Sequence, residues 1–495
     1  MDWFKIDLKK QNLLIFLVAA FIIFLLLPYA GRFANNEPLM IGSEPYYHAR
    51  LAQSLIDYDR VSPDKLDIIQ SLPSIQDSAF HSRNMYFSFY HVFLALFGFI
   101  FSLKYISILL PLIFGILSLF IFNKILISFE FPKFTRQIIL IFLVISPAFV
   151  YLFSFSNPHS IIIFLTLLGF YLFIQEGKMF LILSTIIFGF VAAFTLFNSA
   201  VVVLLLLAYV FYTGKKLDWF LISSFVVGLI SFSVQPPYFL NYLFNHSSDF
   251  FIGLNSDLGG VAGFGSFTIL LACMGVLLYW KHKNQFLIFF IAALLLLFAN
   301  FIVGVSANFY ISFFVAVSAG MAFVMLYERE WKVDFVKQLS IFLIILGLLF
   351  SSVSFMNRVT NFEPSSETID ALTFLENASD AHSVVLSHYD NGYWIESISK
   401  RVAFADSFSG SNYDQSFLLK VSETIFENRD LETAKTLLTQ YGINYIYIDE
   451  TMTDGKVWIK PDEGLLFLLR NKETFENIYS KQGIKIWKVL ITTEN

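Results

Sequence analysis

Cysteine is almost missing: Cys273 is the only one in 495 residues. That excludes a disulfide framework inside the chain and any cysteine-based zinc site. Charge is scarce as well. Charged residues make up 14% of the chain against 57% hydrophobic ones, and mean hydropathy is +0.67. So little polar surface cannot cover that many apolar side chains in water, which rules out an ordinary cytosolic enzyme and a disordered chain. A net charge of −5 points to no nucleic-acid partner. Lys and Arg are absent altogether from the segments 155–158, 197, 236–263 and 304–307.

What the chain has in abundance is phenylalanine, 61 residues, and long apolar runs. Runs fall at 13–28, 104–123, 137–154, 159–175, 178–196, 198–213, 217–235, 264–280, 284–303, 308–326 and 339–355. Each approaches the ~20 residues that cross a bilayer. A further run, 87–102, is interrupted by Tyr90 and His91. Cytoplasmic loops are enriched in Lys and Arg. With Lys5, Lys9 and Lys10 inside, eleven spans put Lys124, Lys133, Arg136, Lys178, Lys215, Lys216, Lys281, Lys283, Arg329, Lys332 and Lys337 inside too. Counting 87–102 as a span would invert everything after it, so it reads as an interfacial or re-entrant helix. The first run ends in Leu-Pro-Tyr without a small-residue cleavage site and does not read as a cleaved signal.

The chain thus divides into a membrane domain, 1–355, and an outer tail, 356–495, of soluble composition. The membrane domain carries a long first outer loop, 30–103, and a second at 236–263. The tail alternates patterns: 366–377 and 415–440 read as helical, 383–386 and 443–449 as strands. This predicts an α/β domain facing outward, with the N-terminus cytoplasmic and the whole in a cell membrane.

Four outer segments carry chemistry-bearing residues. Gly42-Ser-Glu-Pro-Tyr-Tyr-His-Ala-Arg50 presents Glu44; the same letters also make a good helix start, with Pro in the first turn. Ser154-Phe-Ser-Asn-Pro-His-Ser160 presents Asn157 and His159. Both can ligate a divalent cation, Asn as a neutral ligand, though Asn-Pro also starts helices. Asp257 lies in Gly253-Leu-Asn-Ser-Asp-Leu-Gly-Gly260, where it doubles as a turn acid. His388-Tyr-Asp-Asn-Gly-Tyr-Trp394 follows a predicted strand and precedes a predicted helix. Such loops commonly bind ligands, yet Asp-Asn-Gly is also a plain turn.

In order and wording these motifs resemble the catalytic subunit of oligosaccharyltransferase, the membrane enzyme of asparagine-linked glycosylation, and its archaeal form most. Gly42–Arg50 is similar to the family's first acidic motif, with Glu44 for Asp. Asn157-Pro-His159 is similar to its Asp-x-His, and Ser256-Asp-Leu258 to Ser-Glu-Leu of a mobile outer loop. His388–Gly392 resembles Trp-Trp-Asp-Tyr-Gly, with both tryptophans replaced, and Asn308 stands where the family often has Arg. The family usually has thirteen spans.

The resemblance implies a GT-C-like glycosyltransferase. A glycan would move from a polyprenyl-phosphate-linked oligosaccharide to the Asn amide of Asn-x-Ser/Thr in an acceptor protein. Glu44 and Asp257 would accept hydrogen bonds from the amide. Glu44, His159 and Asn157 would hold Mn²⁺ or Mg²⁺. Asp390 would take the acceptor hydroxyl beside His388 and Tyr389, and His81 and His91 would contact the donor phosphate. Two rivals stay open: another polyprenyl-dependent transferase such as a protein mannosyltransferase, and an inactive relative that binds the lipid-linked glycan.

Overall fold

The computed structural model describes residues 12–57, 89–234, 253–280, 283–407 and 416–490. His81 lies outside them. Each apolar run except 137–154 coincides with one helix. These are α1 (Asn12–Ala34), α4 (Leu103–Ser128), α7 (Pro158–Ile174), α8 (Lys178–Ala192), α9 (Leu196–Thr213), α10 (Leu217–Val234), α11 (Ser266–Tyr279), α12 (Lys283–Val303), α13 (Val305–Glu328) and α14 (Asp334–Thr360). The run 137–154 is broken into α5 (Lys133–Val144) and α6 (Pro147–Ser154), which meet at 62°. Proline has no N–H and clashes with the preceding turn, so α5 stops before Pro147 and Ser146 is extended.

Among the described residues, five helices are long and apolar enough to cross a membrane, or six if the bent pair is one crossing. The remainder, α7, α8, α10, α11 and α12, are shorter apolar helices, so length alone does not yield the expected eleven crossings. Their outward faces carry large apolar side chains, such as Phe225 and Phe232, the latter 90% exposed. Only lipid makes such a surface favourable, and the chain is a membrane protein. Between helices, Thr185 pairs with Ser223 at 2.8 Å and Ser199 with Ser231 at 3.1 Å. The Lys216 ammonium donates to the carbonyls of Phe173, Ile174 and Gln175, closing the C-terminal end of α7.

By contacts the chain forms two units. The first comprises 1–31 and 108–361, the second 32–107 and 362–495. The composition boundary at 355/356 is therefore near one of the crossings between units, but the first outer loop groups with the tail. The second unit holds α2 (Glu44–Asp57), α3 (Phe89–Gly98), α15 (Ser366–Ala378), α16 (Ser416–Glu427), α17 (Leu431–Gln440) and a five-stranded sheet. Strand order is β2 (Val402–Ala403), β1 (Val384–Leu386), β3 (Ile443–Ile448), β5 (Ile484–Val489), β4 (Phe475–Lys481). The first three strands are parallel and the last two add antiparallel. Along β3 the side chains alternate: Ile446 and Ile448 join one core, Tyr445 and Tyr447 the other. The predicted helix 415–440 is two helices, because Asp430 caps α17 by accepting the Thr433 N–H at 2.9 Å.

Gly392 marks a point of close approach. A Cβ there would lie 2.5 Å from the Asp406 Cβ and 2.6 Å from the Ala405 oxygen. Gly392→Ala is expected to cost about 1–3 kcal/mol, the usual penalty of overpacking. A lower melting temperature of the purified protein checks this; an unchanged one would mean that strand end yields freely.

Candidate active site

Within the second unit, two motifs about 340 residues apart in sequence meet. Arg32, buried at the end of α1, donates to the carbonyls of Pro38 at 2.5 Å and of Phe362 and Pro364. Glu37 accepts the Ser366 N–H at 2.7 Å, and the Gly42 N–H donates to the Glu363 carbonyl at 2.7 Å. Gly42 has φ +80, which turns the chain into α2 without a Cβ penalty. The α2 helix then starts at Glu44, with the Tyr46 and Tyr47 N–H groups on the Ser43 carbonyl. Glu44 is thus a helix-start acid, as its sequence allows.

The segment after the tail motif grips this turn. The Trp394 indole donates to the Gly42 carbonyl at 3.2 Å and the Ser397 hydroxyl to the Tyr46 carbonyl at 3.0 Å. Tyr393 stacks on Tyr47 with centroids 4.5 Å apart. Arg50 Nη1 lies 2.5 Å from Glu396 Oε2, with Glu396 1% exposed. This is a Coulombic pair without hydrogen-bond alignment, and breaking one side would strand a buried charge. Residues 395–397 escaped the sequence reading, whose tail segment ends at Trp394. The signal was there: Glu396 and Ser397 interrupt the apolar stretch Tyr393–Ile398.

The Glu44 carboxyl has open surface yet sits deep among protein atoms, and that depth decides its protonation: burial raises its pKa above the ordinary 4.5. His91 does not face outward. It is 2% exposed, and its Nε2 lies 2.8 Å from His48 Nδ1, with Tyr47 edge-on to its ring. In the tail motif, Asp390 is 39% exposed, its Oδ2 carries the Lys456 ammonium, and His388 Nδ1 lies 3.5 Å away. His388 packs on the half-open Tyr389 ring at 4.2 Å. Asn391 ties the loop down by donating to Asp449 Oδ2 at 2.6 Å. Lys456 and Asp449 were also missed, since they lie 66 and 58 residues beyond their partners.

The first unit holds the other three candidates. Asn157 caps α7: its Oδ1 accepts the Ser160 N–H at 3.2 Å, and its Nδ2 donates to the carbonyls of Leu152 and Phe155. Two residues on, His159 Nε2 is 3.2 Å from the Ser306 hydroxyl, while its buried Nδ1 has no partner. Asp257 Oδ2 accepts the Ser266 N–H at 2.7 Å and the Ser351 hydroxyl at 2.9 Å, so it caps α11. Arg358 donates to the Ser256 carbonyl at 2.6 Å. Asn308 Nδ2 donates to the carbonyls of Gly253 and Ala262, each at 3.1 Å, closing the base of this loop. The first turns of α13 thus hold both His159, through Ser306, and the Asp257 loop, through Asn308.

Two of these groups suit a divalent cation, the Glu44 carboxylate and the unpartnered His159 nitrogen. Asn157 Oδ1 is buried and accepts a backbone hydrogen bond, so one lone pair is in use. Among the described residues, no group of three His, Cys, Asp or Glu side chains could hold a metal ion.

No family profile and no curated protein sequence matches the chain. Solved structures do. The chain is similar to the oligosaccharyltransferase of Archaeoglobus fulgidus in its apo form, at 14% identity over 96% of this chain and 74% of that one, with a TM-score of 0.64. The same organism's oligosaccharyltransferase AglB, in complex with an inhibitory peptide and a dolichol-phosphate, gives 14%, 96%, 74% and 0.63. ArnT from Cupriavidus metallidurans, bound to undecaprenyl phosphate, gives 11%, 97%, 98% and 0.58. At these identities the likeness is one of fold: the chain has an oligosaccharyltransferase-like fold of the GT-C kind.

Proposed function

We propose that this protein transfers a glycan from a polyprenyl-phosphate-linked donor to the side-chain amide of Asn in Asn-x-Ser/Thr. The observation that carries this reading is the grip of residues 393–397 on Gly42–Arg50. It couples Glu44, at the start of α2, to a loop with an accessible acceptor group, Asp390. Glycan transfer to an amide needs both. The amide nitrogen is a weak nucleophile because its lone pair is delocalised. Glu44 would accept its N–H groups and localise that pair. Asp390 would accept the Ser/Thr hydroxyl, exchanging Lys456 for it, with Tyr389 and His388 against the side chain. A divalent cation, for which Glu44 would be the carboxylate ligand, would supply Lewis-acid charge for a departing phosphate. The near-equal length of ArnT favours a second reading, another polyprenyl-phosphate-dependent glycosyl transfer.

The two part on the acceptor. Purified protein with lipid-linked oligosaccharide, Mn²⁺ and a fluorescent Asn-x-Thr peptide is expected to give a glycopeptide mass shift. Asp390→Ala should raise KM for that peptide and erase the preference over Asn-x-Ala. A hydrogen bond to a charged group is worth ~1.5–3 kcal/mol, and for the half-open Asp390 the lower end applies, about tenfold in that preference. An intact preference in Asp390→Ala would put the second reading first.

Glu44→Gln should lower kcat with little change in KM. It should also report protonation. Because burial raises the Glu44 pKa above 4.5, its ionisation destabilises the fold progressively as pH rises past that value. Glu44→Gln is therefore expected to melt higher than the parent at pH 7 and alike at pH 4. A variant less stable at pH 7 would show that the charge is compensated.

The orientation is part of the proposal. Single cysteines replacing exposed Lys215 and Asn377, in a Cys273→Ala background, are expected to differ in intact cells. The one at 377 should label with an impermeant maleimide and the one at 215 should not. Equal labelling would remove the outward placement of the tail.

A further inference from the structure

Away from the candidate residues, the chain itself carries two triplets of the kind that the proposed transfer would modify. Asn245-His-Ser247 lies outside the described residues, and Asn377-Ala-Ser379 lies in the second unit. Each has a residue other than proline at its centre, as an acceptor triplet needs. Among the described residues no other Asn begins such a triplet. Both triplets fall in segments expected to face outward, 236–263 and 356–495.

The fold treats the two ends of Asn377-Ala-Ser379 differently. Asn377 is exposed in the last turn of α15, and its Nδ2 donates to the Thr373 carbonyl at 3.0 Å. Among the described residues the second Nδ2 hydrogen has no acceptor. A glycosylated amide keeps one N–H, so the bond to Thr373 survives. Thr373 and Ala378 are exposed as well, which leaves open surface for a glycan at this nitrogen. Ser379 is the opposite case. Its hydroxyl donates to the Leu375 carbonyl at 2.5 Å and accepts Arg401 Nε at 2.7 Å. Arg401, itself buried, donates from Nη2 to the carbonyls of Ser379 at 2.6 Å and Glu376 at 2.5 Å. An acceptor site that reads the hydroxyl with a carboxylate needs the hydrogen that Leu375 holds. Taking it would open the end of α15 and strand donors of a buried guanidinium. The folded triplet thus offers its amide and withholds its hydroxyl.

We propose that Asn377 is a glycan acceptor, modified by another copy of this protein before the tail folds and closed to it afterwards by Arg401 on Ser379. The inference rests on the transfer reading, because the acting copy must recognise Asn-x-Ser. In the step, the anomeric carbon of the glycan bonds to Nδ2 as its bond to the donor phosphate oxygen breaks. The electron pair of that bond leaves on the polyprenyl phosphate, and one of the two Nδ2 protons goes to solvent. The folded tail then carries the glycan at an exposed position with its hydrogen bonds intact.

The experiment synthesises the full-length chain cell-free into vesicles that hold purified Asn377→Gln protein, lipid-linked oligosaccharide and Mn²⁺, with a fluorescent Asn-x-Thr peptide alongside. Trypsin releases Val359–Lys400 in one piece, and its mass reads Asn377 in the new chain alone. Donor present during synthesis is expected to give at least tenfold more glycosylated peptide than donor supplied to the finished, folded chain. Ser379→Thr in the new chain should keep the addition and Ser379→Ala should abolish it. Ser379→Ala also removes the Arg401 contact, so its loss reports the missing hydroxyl and not tighter closure. A modified Asn-x-Thr peptide beside an unmodified Asn377 overturns this inference and leaves the transfer reading in place. An unmodified Asn-x-Thr peptide removes both. Equal yields with early and late donor overturn the closure by Arg401.

Discussion

The guanidinium of Arg32 fixes the geometry on which the second unit depends. It is a buried cation whose N–H groups reach three backbone carbonyls, one at residue 38 and two at residues 362–364. Lysine could not replace it, since only the planar fork presents several donors at fixed angles. Once that tie is made, Glu363 receives the Gly42 N–H and Glu37 receives the Ser366 N–H. The start of α2 is then held over the sheet domain, and Tyr47, Arg50 and Gly42 meet Tyr393, Glu396 and Trp394. A residue outside every motif thus sets where the first motif lies.

Several candidate residues have a structural occupation. Asn157 and Asp257 cap helices, and Asp390 carries a lysine. Capping is worth about 0.5–2 kcal/mol, so these side chains have a reason to be present that owes nothing to chemistry. Glu44 and His159 are different. Glu44 is a carboxyl whose surroundings disfavour its charge, and His159 keeps a buried nitrogen without a partner.

Much of the fold was legible along the chain. Apolar runs gave helices because a bilayer leaves the backbone no other partner than itself. The alternation in Ile443–Ile448 gave a buried strand, and Ser43-Glu-Pro45 gave a helix start. The break at Pro147 was also written in the sequence, but its apolar neighbours on both sides made one run of two helices. The gap at 428–430 was hidden in the same way, by helix formers either side of an Asp430 cap.

The sequence by itself determined the membrane setting, the helices, the strands and the residue types able to carry chemistry. These follow from composition and from periods of two and 3.6 residues, which are local properties. Only the tertiary structure decided that the first outer loop belongs with the tail, and that His91 turns inward to His48. It alone matched Arg50 with Glu396, Trp394 with Gly42 and Lys456 with Asp390. Those pairs join residues 66 to 352 positions apart. No periodicity encodes such a pairing, because it exists only once the sheet and α2 have brought both partners to one place.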